Sequence, residues 1–273
     1  SHSLILEVVG VISLTLVLFL DAVKLQIDEL KQEWYVPFLT LGPGTILTIL
    51  GVAAAGFILL SLAPIPALLL GAILASTDPV VLRDIIRDER IPRSVRRALS
   101  VEAGMNDLVV LPIVLVLIAI LTAQVGSASD WVLFLLRVLV FSPVVGFVVG
   151  GIGAYLIGKA DQRFGIRQEY QALYGIGLVL AAYAAGQALQ GDGFLAAFFA
   201  GLAVTILNVS LCECFLAYGE VTSEMLMLLA FVLFGVVLVD LLGTVALVPT
   251  LALAIISIGV VRPAALGLVL RKA

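Results

Sequence analysis

Two carboxylates stand inside stretches of chain that are otherwise apolar: Asp78, in Thr77-Asp78-Pro79, and Asp107, in Asn106-Asp107. On insertion scales a charged Asp at mid-bilayer costs about 2.5 to 3.5 kcal/mol, so it persists where it pairs, faces a polar cavity or changes protonation. The two residues therefore read as an ion or proton site. Low-dielectric surroundings disfavour the charged form of a carboxylate, and a bound cation reverses that. Proton and cation then compete for one group, Asp107. Hard oxygen ligands suit an alkali cation, and Thr77, carbonyls near Ala75, Asp78 and Asp107 form the expected set. If such a cavity opens to one side at a time, and the empty charged site does not cross, exchange of ion for proton follows.

Neighbouring residues say how that site is framed. Pro79 has no N–H for the carbonyl of Ala75, and its ring pushes Asp78 away from helical geometry, so a helix is expected to break there. Broken helices are tolerated in lipid where they line a protein-buried or wet cavity, as in the midplane ion sites of transporters. A competing reading makes Asp78 the cap of a surface helix whose Arg-rich continuation lies on the membrane. Five residues separate Asp78 from Arg83 and ten separate Arg97 from Asp107, about 8 and 15 Å along a helix. Both carboxylates can thus reach one depth. Glu102 lies four residues before Asn106, on the same helical face; it either pairs with Arg96 or Arg97 at the interface or serves Arg262. That arginine is followed by Pro263 in the middle of an apolar run and needs a carboxylate, with Glu102, Asp78 and Asp107 available. Arg137 lies close enough to a membrane face to bring its charge to the headgroups, and is read as structural.

Composition fixes the solvent. The chain is 62% hydrophobic and 12% charged, where soluble domains run about 45 to 50% and about 25%. Apolar runs near the roughly 20 residues needed to cross a bilayer fall at 4–20, 36–61, 64–83, 100–123, 131–158, 169–188, 193–207, 221–240 and 245–270. They lack the alternation of barrel strands, so the expected fold is all-α and polytopic, with about nine transmembrane helices, one of them discontinuous at Thr77-Asp78-Pro79. Segment seven, only 14 residues from Phe194 to Leu207, also fits a re-entrant or interfacial piece. Every Lys and Arg except Arg137 and Arg262 falls in a connection that this count puts on one side. The positive-inside rule makes that side cytoplasmic, with segment one entering from outside. A lone signal peptide is excluded because apolar runs recur along the whole chain.

Other functions find less support. A membrane-embedded hydrolase or prenyl-transfer enzyme would want a metal cluster or nucleophile, and the single histidine is His2 at the start of the chain. Cys212 and Cys214 sit in a cytoplasmic connection with no partner ligands and read as incidental reduced thiols. No basic patch suggests nucleic acid. A channel would want polar lining along a continuous pore, whereas the polar groups concentrate near one depth; proton-coupled transport of another small solute stays open. Tyr170, Tyr174, Tyr183, Trp34 and Trp131 read as interfacial or packing aromatics. Gly146, Gly150 and Ala154 make small-xxx-small steps that fit either a dimer contact or internal packing. Asn208-Val209-Ser210 faces the cytoplasm and is not a glycosylation site.

Taken together, Leu18 to Ala22, Leu70 to Val80, Glu102 to Asp107, Gly193 to Ala196 and the Arg262-Pro263 span resemble the monovalent cation/proton antiporters, in the sodium/proton exchanger branch with an Asn-Asp motif. That resemblance implies secondary exchange of Na+ or Li+, less often K+, for protons, electroneutral and by an elevator-like alternating access. It implies Asp107 as the exchanged carboxylate, Thr77, Asp78 and Asn106 as its site companions with Na+ at Asp107, Thr77 and Asp78, a supporting Glu102–Arg262 ion pair, and Asp21 as an access-path acid. It further implies a scaffold helix and connector over 1–35, core helices over 36–123, scaffold helices over 124–240 and a core helix over 241–273. A homodimer in the plasma (inner) membrane is expected, not an enzyme and with no cofactor beyond the transported ions. Relatives commonly have Ser where this chain has Ala103, which bears on ion preference. An inverted repeat would place a second broken helix after segment nine and further spans before segment one. The chain is therefore expected to be part of that fold and to be inactive alone.

Overall fold

The computed structural model describes residues 2–25, 35–76, 88, 90–123, 126–207, 213–241, 243 and 246–271. Thr77, Asp78 and Pro79 lie outside them, as do Trp34, Cys212 and the Asn208-Val209-Ser210 tripeptide; the side chains of Ala103 and Cys214 are likewise outside the description.

Each expected apolar run corresponds to a helix. In chain order these are α1 (His2–Lys24), α2 (Tyr35–Leu60), α3 (Pro64–Ala75), α4 (Arg93–Leu121), α5 (Ala128–Phe164), α6 (Gln168–Ala188), α7 (Gly193–Ile206), α8 (Glu213–Leu241) and α9 (Leu247–Leu270). Among the described residues, six helices are long and apolar enough to cross a bilayer, and α3 and α7 are shorter apolar helices. The protein is an integral membrane protein built from helices. Backbone groups in hydrocarbon must find partners within their own segment, which is why apolar runs of this length fold as helices.

Three of these helices carry a π-helical turn, and each is tied to a proline. The turns are Thr40–Gly44 in α2, containing Pro43, Arg137–Phe141 in α5, just before Pro143, and Ser257–Val261 in α9, just before Pro263. Proline withholds an N–H and its ring crowds the preceding turn. Widening that turn re-pairs the backbone five residues apart: the N–H groups of Thr45, Ser142 and Arg262 donate to the carbonyls of Thr40, Arg137 and Ser257. Hydroxyls reinforce the first two, Thr45 Oγ1 to the Thr40 carbonyl at 3.2 Å and Ser142 Oγ to the Arg137 carbonyl at 2.8 Å.

The chain divides into two compact units, 1–25 with 131–244, and 26–130 with 245–273. In the first, α7 is the central helix. Its Ala196, Ala197, Ala200 and Ala203 are fully buried, and small residues let α1, α5 and α6 approach it closely. A side chain at Gly146 or Gly150 of α5 would overlap the carbonyls of Ala196 or Ala200, and one at Gly201 would overlap that of Phe19 in α1. The small-residue stripe of α5 is thus used for packing inside the unit. Leu16, Phe19, Leu20, Val179, Ala182 and Val204 fill its core. At 14 residues, α7 is about 21 Å long. Its N-terminus is capped by Asp192, whose Oδ1 accepts the Leu195 N–H at 2.8 Å, while the Asp192 N–H donates to Ser142 Oγ at 2.7 Å.

The second unit holds α2, α3, α4 and α9. Ile49, Ala72, Ala75 and Leu117 form its core, with Ile65, Leu68, Leu69, Ile113 and Val114 around them. Gly71 of α3 lies against the Ile49 carbonyl of α2, where no Cβ fits. This close contact brings α3 and α2 together.

Candidate functional site

Helix α3 begins with Pro64, whose missing N–H needs no partner at a helix start. It stops at Ala75, and Ser76 leaves the helix with extended backbone, φ −63° and ψ 141°. The sequence places the break at Asp78-Pro79, in a run drawn to residue 83; the described helix ends earlier, three residues before Asp78.

Two hydrogen bonds tie that end to α4. Ser76 Oγ donates to Asp107 Oδ1 at 2.9 Å. Asn106 Nδ2 donates to the Ala75 carbonyl at 3.2 Å. Asn106 is buried, only 1% exposed, while Asp107 is half-buried. The Asn-Asp pair thus acts as two adjacent prongs, on the last residue of α3 and on the residue that follows it. Asn106 occupies a carbonyl that the ended helix leaves without its usual intrahelical donor, and Asp107 faces the hydroxyl beside it.

Five residues earlier on α4, Glu102 meets Arg262 of α9, Oε1 to Nη2 at 3.7 Å, with side chains 14% and 30% exposed. Arg262 is the residue that follows the π-turn of α9. Of the partners open to Glu102 in the sequence, Arg262 is one that it meets in the structure. Asn106, Asp107, Glu102 and Arg262 are therefore gathered in one unit from α4 and α9. Thr77 and Asp78 lie outside the described residues. Asp21 is half-buried on α1 of the other unit, and Arg137 is half-buried in the π-turn of α5. Ser76 is the member that sequence reasoning passed over. A serine beside Thr77-Asp78-Pro79 was visible, but its hydroxyl matters only because the helix ends one residue before it.

This helical unit, with an apolar helix whose end is held by the Asn106-Asp107 pair, is that of a polytopic membrane protein. The chain belongs to the sodium/hydrogen exchanger family, matching the model of its transmembrane region over residues 1–273. Its fold is similar to that of the sodium proton antiporter MjNhaP1 from Methanocaldococcus jannaschii, with a TM-score of 0.84 at 22% identity, over 100% of this chain and 67% of that one. In sequence it is 28% identical over 230 residues to the K(+)/H(+) antiporter NhaP of Alkalimonas amylolytica, and 30% identical over 212 residues to the Na(+)/H(+) antiporter 2 of Zygosaccharomyces rouxii. Those alignments take in 83% and 74% of this chain, but only 39% and 26% of the two relatives.

Proposed function

We propose that the full-length protein exchanges a monovalent cation for protons across the plasma (inner) membrane, with Asp107 as the group that both species occupy in turn. The observation that carries this reading is the Ser76–Asp107 hydrogen bond, which presents a half-buried carboxylate to the end of the apolar helix α3. Relatives named as Na+/H+ and K+/H+ antiporters support the exchange class.

Charge accounting supports Asp107 over Glu102 as the exchanging group. Glu102 has the Arg262 guanidinium beside it. Asp107 accepts the Ser76 hydroxyl, a neutral donor that a cation or a proton on the carboxylate can join. One carboxylate cycling between the two gives electroneutral one-for-one exchange. Thr77 and Asp78 belong to the same proposal as further oxygen donors, and Asp21 as an acid along the access path. The unit carrying Asp107 would move as the ion-bearing core, the unit built round α7 would act as scaffold, and the assembly would be a homodimer. Alternating access supplies the coupling: the site releases one ion before it accepts the other.

Reconstituted full-length protein provides the test. An outward sodium, lithium or potassium gradient is expected to drive dye-reported proton uptake into proteoliposomes. Asp107→Asn should reduce it to the level of empty liposomes. An Asp107→Asn protein with full cation-driven proton flux would overturn the proposal, and a cation current without proton movement would favour a channel.

A further inference from the structure

The two bonds between α3 and α4 differ in chemistry, although they join neighbouring residues. Asn106 to the Ala75 carbonyl links two groups whose protonation never changes. Ser76 to Asp107 ends on the group that alternates between proton and cation. A serine hydroxyl both donates and accepts, and its hydrogen rotates to suit. Toward ionised Asp107 it donates, as seen here at 2.9 Å. Toward protonated Asp107 it accepts. Toward a cation resting on the carboxylate it turns its hydrogen away and offers oxygen lone pairs, the hard ligand that an alkali ion prefers.

No other described side chain of the cluster is equipped for all three states. Asn106 is engaged with the Ala75 carbonyl and Glu102 with Arg262. On α4 itself, position 103, one helical turn before Asp107, is alanine and brings no hydroxyl. The extended backbone at Ser76 sets its Oγ beside Asp107, and the Asn106–Ala75 bond holds it there.

We infer that Ser76 is a cation ligand and a determinant of cation preference, its hydroxyl following Asp107 through the proton-loaded and ion-loaded states. This rests on the proposed exchange at Asp107. A ligand oxygen acts on the bound ion, so its loss shows in KM for the cation and in the ratio of KM values among cations, more than in the saturating rate. The loss of one such contact is expected to raise KM on the order of tenfold, the factor that corresponds to about 1.4 kcal/mol.

The experiment compares full-length parent, Ser76→Ala, Ser76→Cys, Ser76→Thr and Asp107→Asn in proteoliposomes, titrating Na+, Li+ and K+ at fixed pH. Ser76→Ala and Ser76→Cys should each raise KM about tenfold for at least one cation, shift the Na+ to K+ preference and leave most of the saturating rate. Ser76→Thr, which keeps a hydroxyl, should restore both KM and preference. Unchanged KM values in Ser76→Ala or Ser76→Cys would overturn the inference. So would a loss of saturating rate shared equally by Ala, Cys and Thr with KM preserved, which marks a purely structural role. An inactive Asp107→Asn with an unaltered Ser76→Ala sinks the role of Ser76 alone. An active Asp107→Asn sinks the exchange reading beneath it.

Discussion

Withdrawing Glu102 and Arg262 from water costs free energy that their attraction at 3.7 Å offsets only in part. The pair still matters, because removing one member leaves a charge where it was placed to be compensated. Both side chains are partly exposed, 14% and 30%, so the effect falls below the 3 to 5 kcal/mol typical of fully buried pairs. Arg262→Leu is expected to destabilise the full-length protein by ~2 kcal/mol. Glu102→Leu should do the same, and the double variant should cost clearly less than the two added together. Thermal unfolding of the four proteins in one detergent measures this coupling, and strict additivity would mean that the contact contributes nothing. At this scale the sequence was informative about residue type and poor about partners. An Arg inside an apolar run demands a carboxylate, and this narrows the choice to a few. Which carboxylate answers depends on how α9 lies against α4, and periodicity within one helix does not specify that.

Helix ends and turns decide where these side chains go, and they were only partly legible. Apolar length located the nine helices of the described residues because hydrocarbon leaves no other use for such runs. The three π-turns were not legible, since proline in a membrane helix can be met by a kink, a tightened turn or a widened one. Caps have clearer consequences, and Asp192 shows one. It sits in the turn between α6 and α7, 9% exposed, and caps α7 through the Leu195 N–H. Burial pushes its carboxyl above the usual 3.8, although the N–H groups of Leu195 and Phe194 pull the other way. The folded protein therefore holds this proton more tightly than the unfolded chain does, and folding loses stability as pH rises from about 3.8 through the raised folded value. Asp192→Asn keeps an oxygen for the cap and removes the charge. Its Tm should exceed the parent's at pH 7, with the gap closing as pH falls toward 4. Asp192→Ala loses the cap and should be about 1 kcal/mol less stable than Asp192→Asn at every pH. A parent that outlasts the Asn variant at pH 7 would show that the helix-end N–H groups outweigh burial.

Each compact unit is assembled from stretches far apart in the chain, 1–25 with 131–244 and 26–130 with 245–273. Hydropathy has no means of announcing such interleaving, because a run of leucines and valines reads the same whichever bundle it joins. What the whole sequence does announce is orientation. Charged side chains resist translocation, so Lys and Arg collect on the cytoplasmic side. Lys24, the Arg93 to Arg97 group, Lys159, Arg163, Arg167 and Arg271 all lie in or beside alternate connections. If α1 enters from outside, the turns after α4 and α6 face outward and the turn after α5 faces the cytoplasm. Gly126, Leu189 and Phe164 are exposed residues in or beside these three turns. With the cysteines of the full-length protein, Cys212 and Cys214 among them, changed to Ser, Gly126→Cys and Leu189→Cys should react with a membrane-impermeant maleimide in intact cells. Phe164→Cys should react only after permeabilisation. The reverse pattern would invert the protein in the membrane, and the same labelling at Phe164 and at either neighbouring position would mean that the helix between the two, α5 or α6, does not cross. The second result reaches further, since α5 and α6 flank the short α7, and a bundle in which either fails to span would leave the α7 alanines facing lipid instead of helix backbone. Labelling at three turns thus tests the packing of α7 together with the direction of the chain.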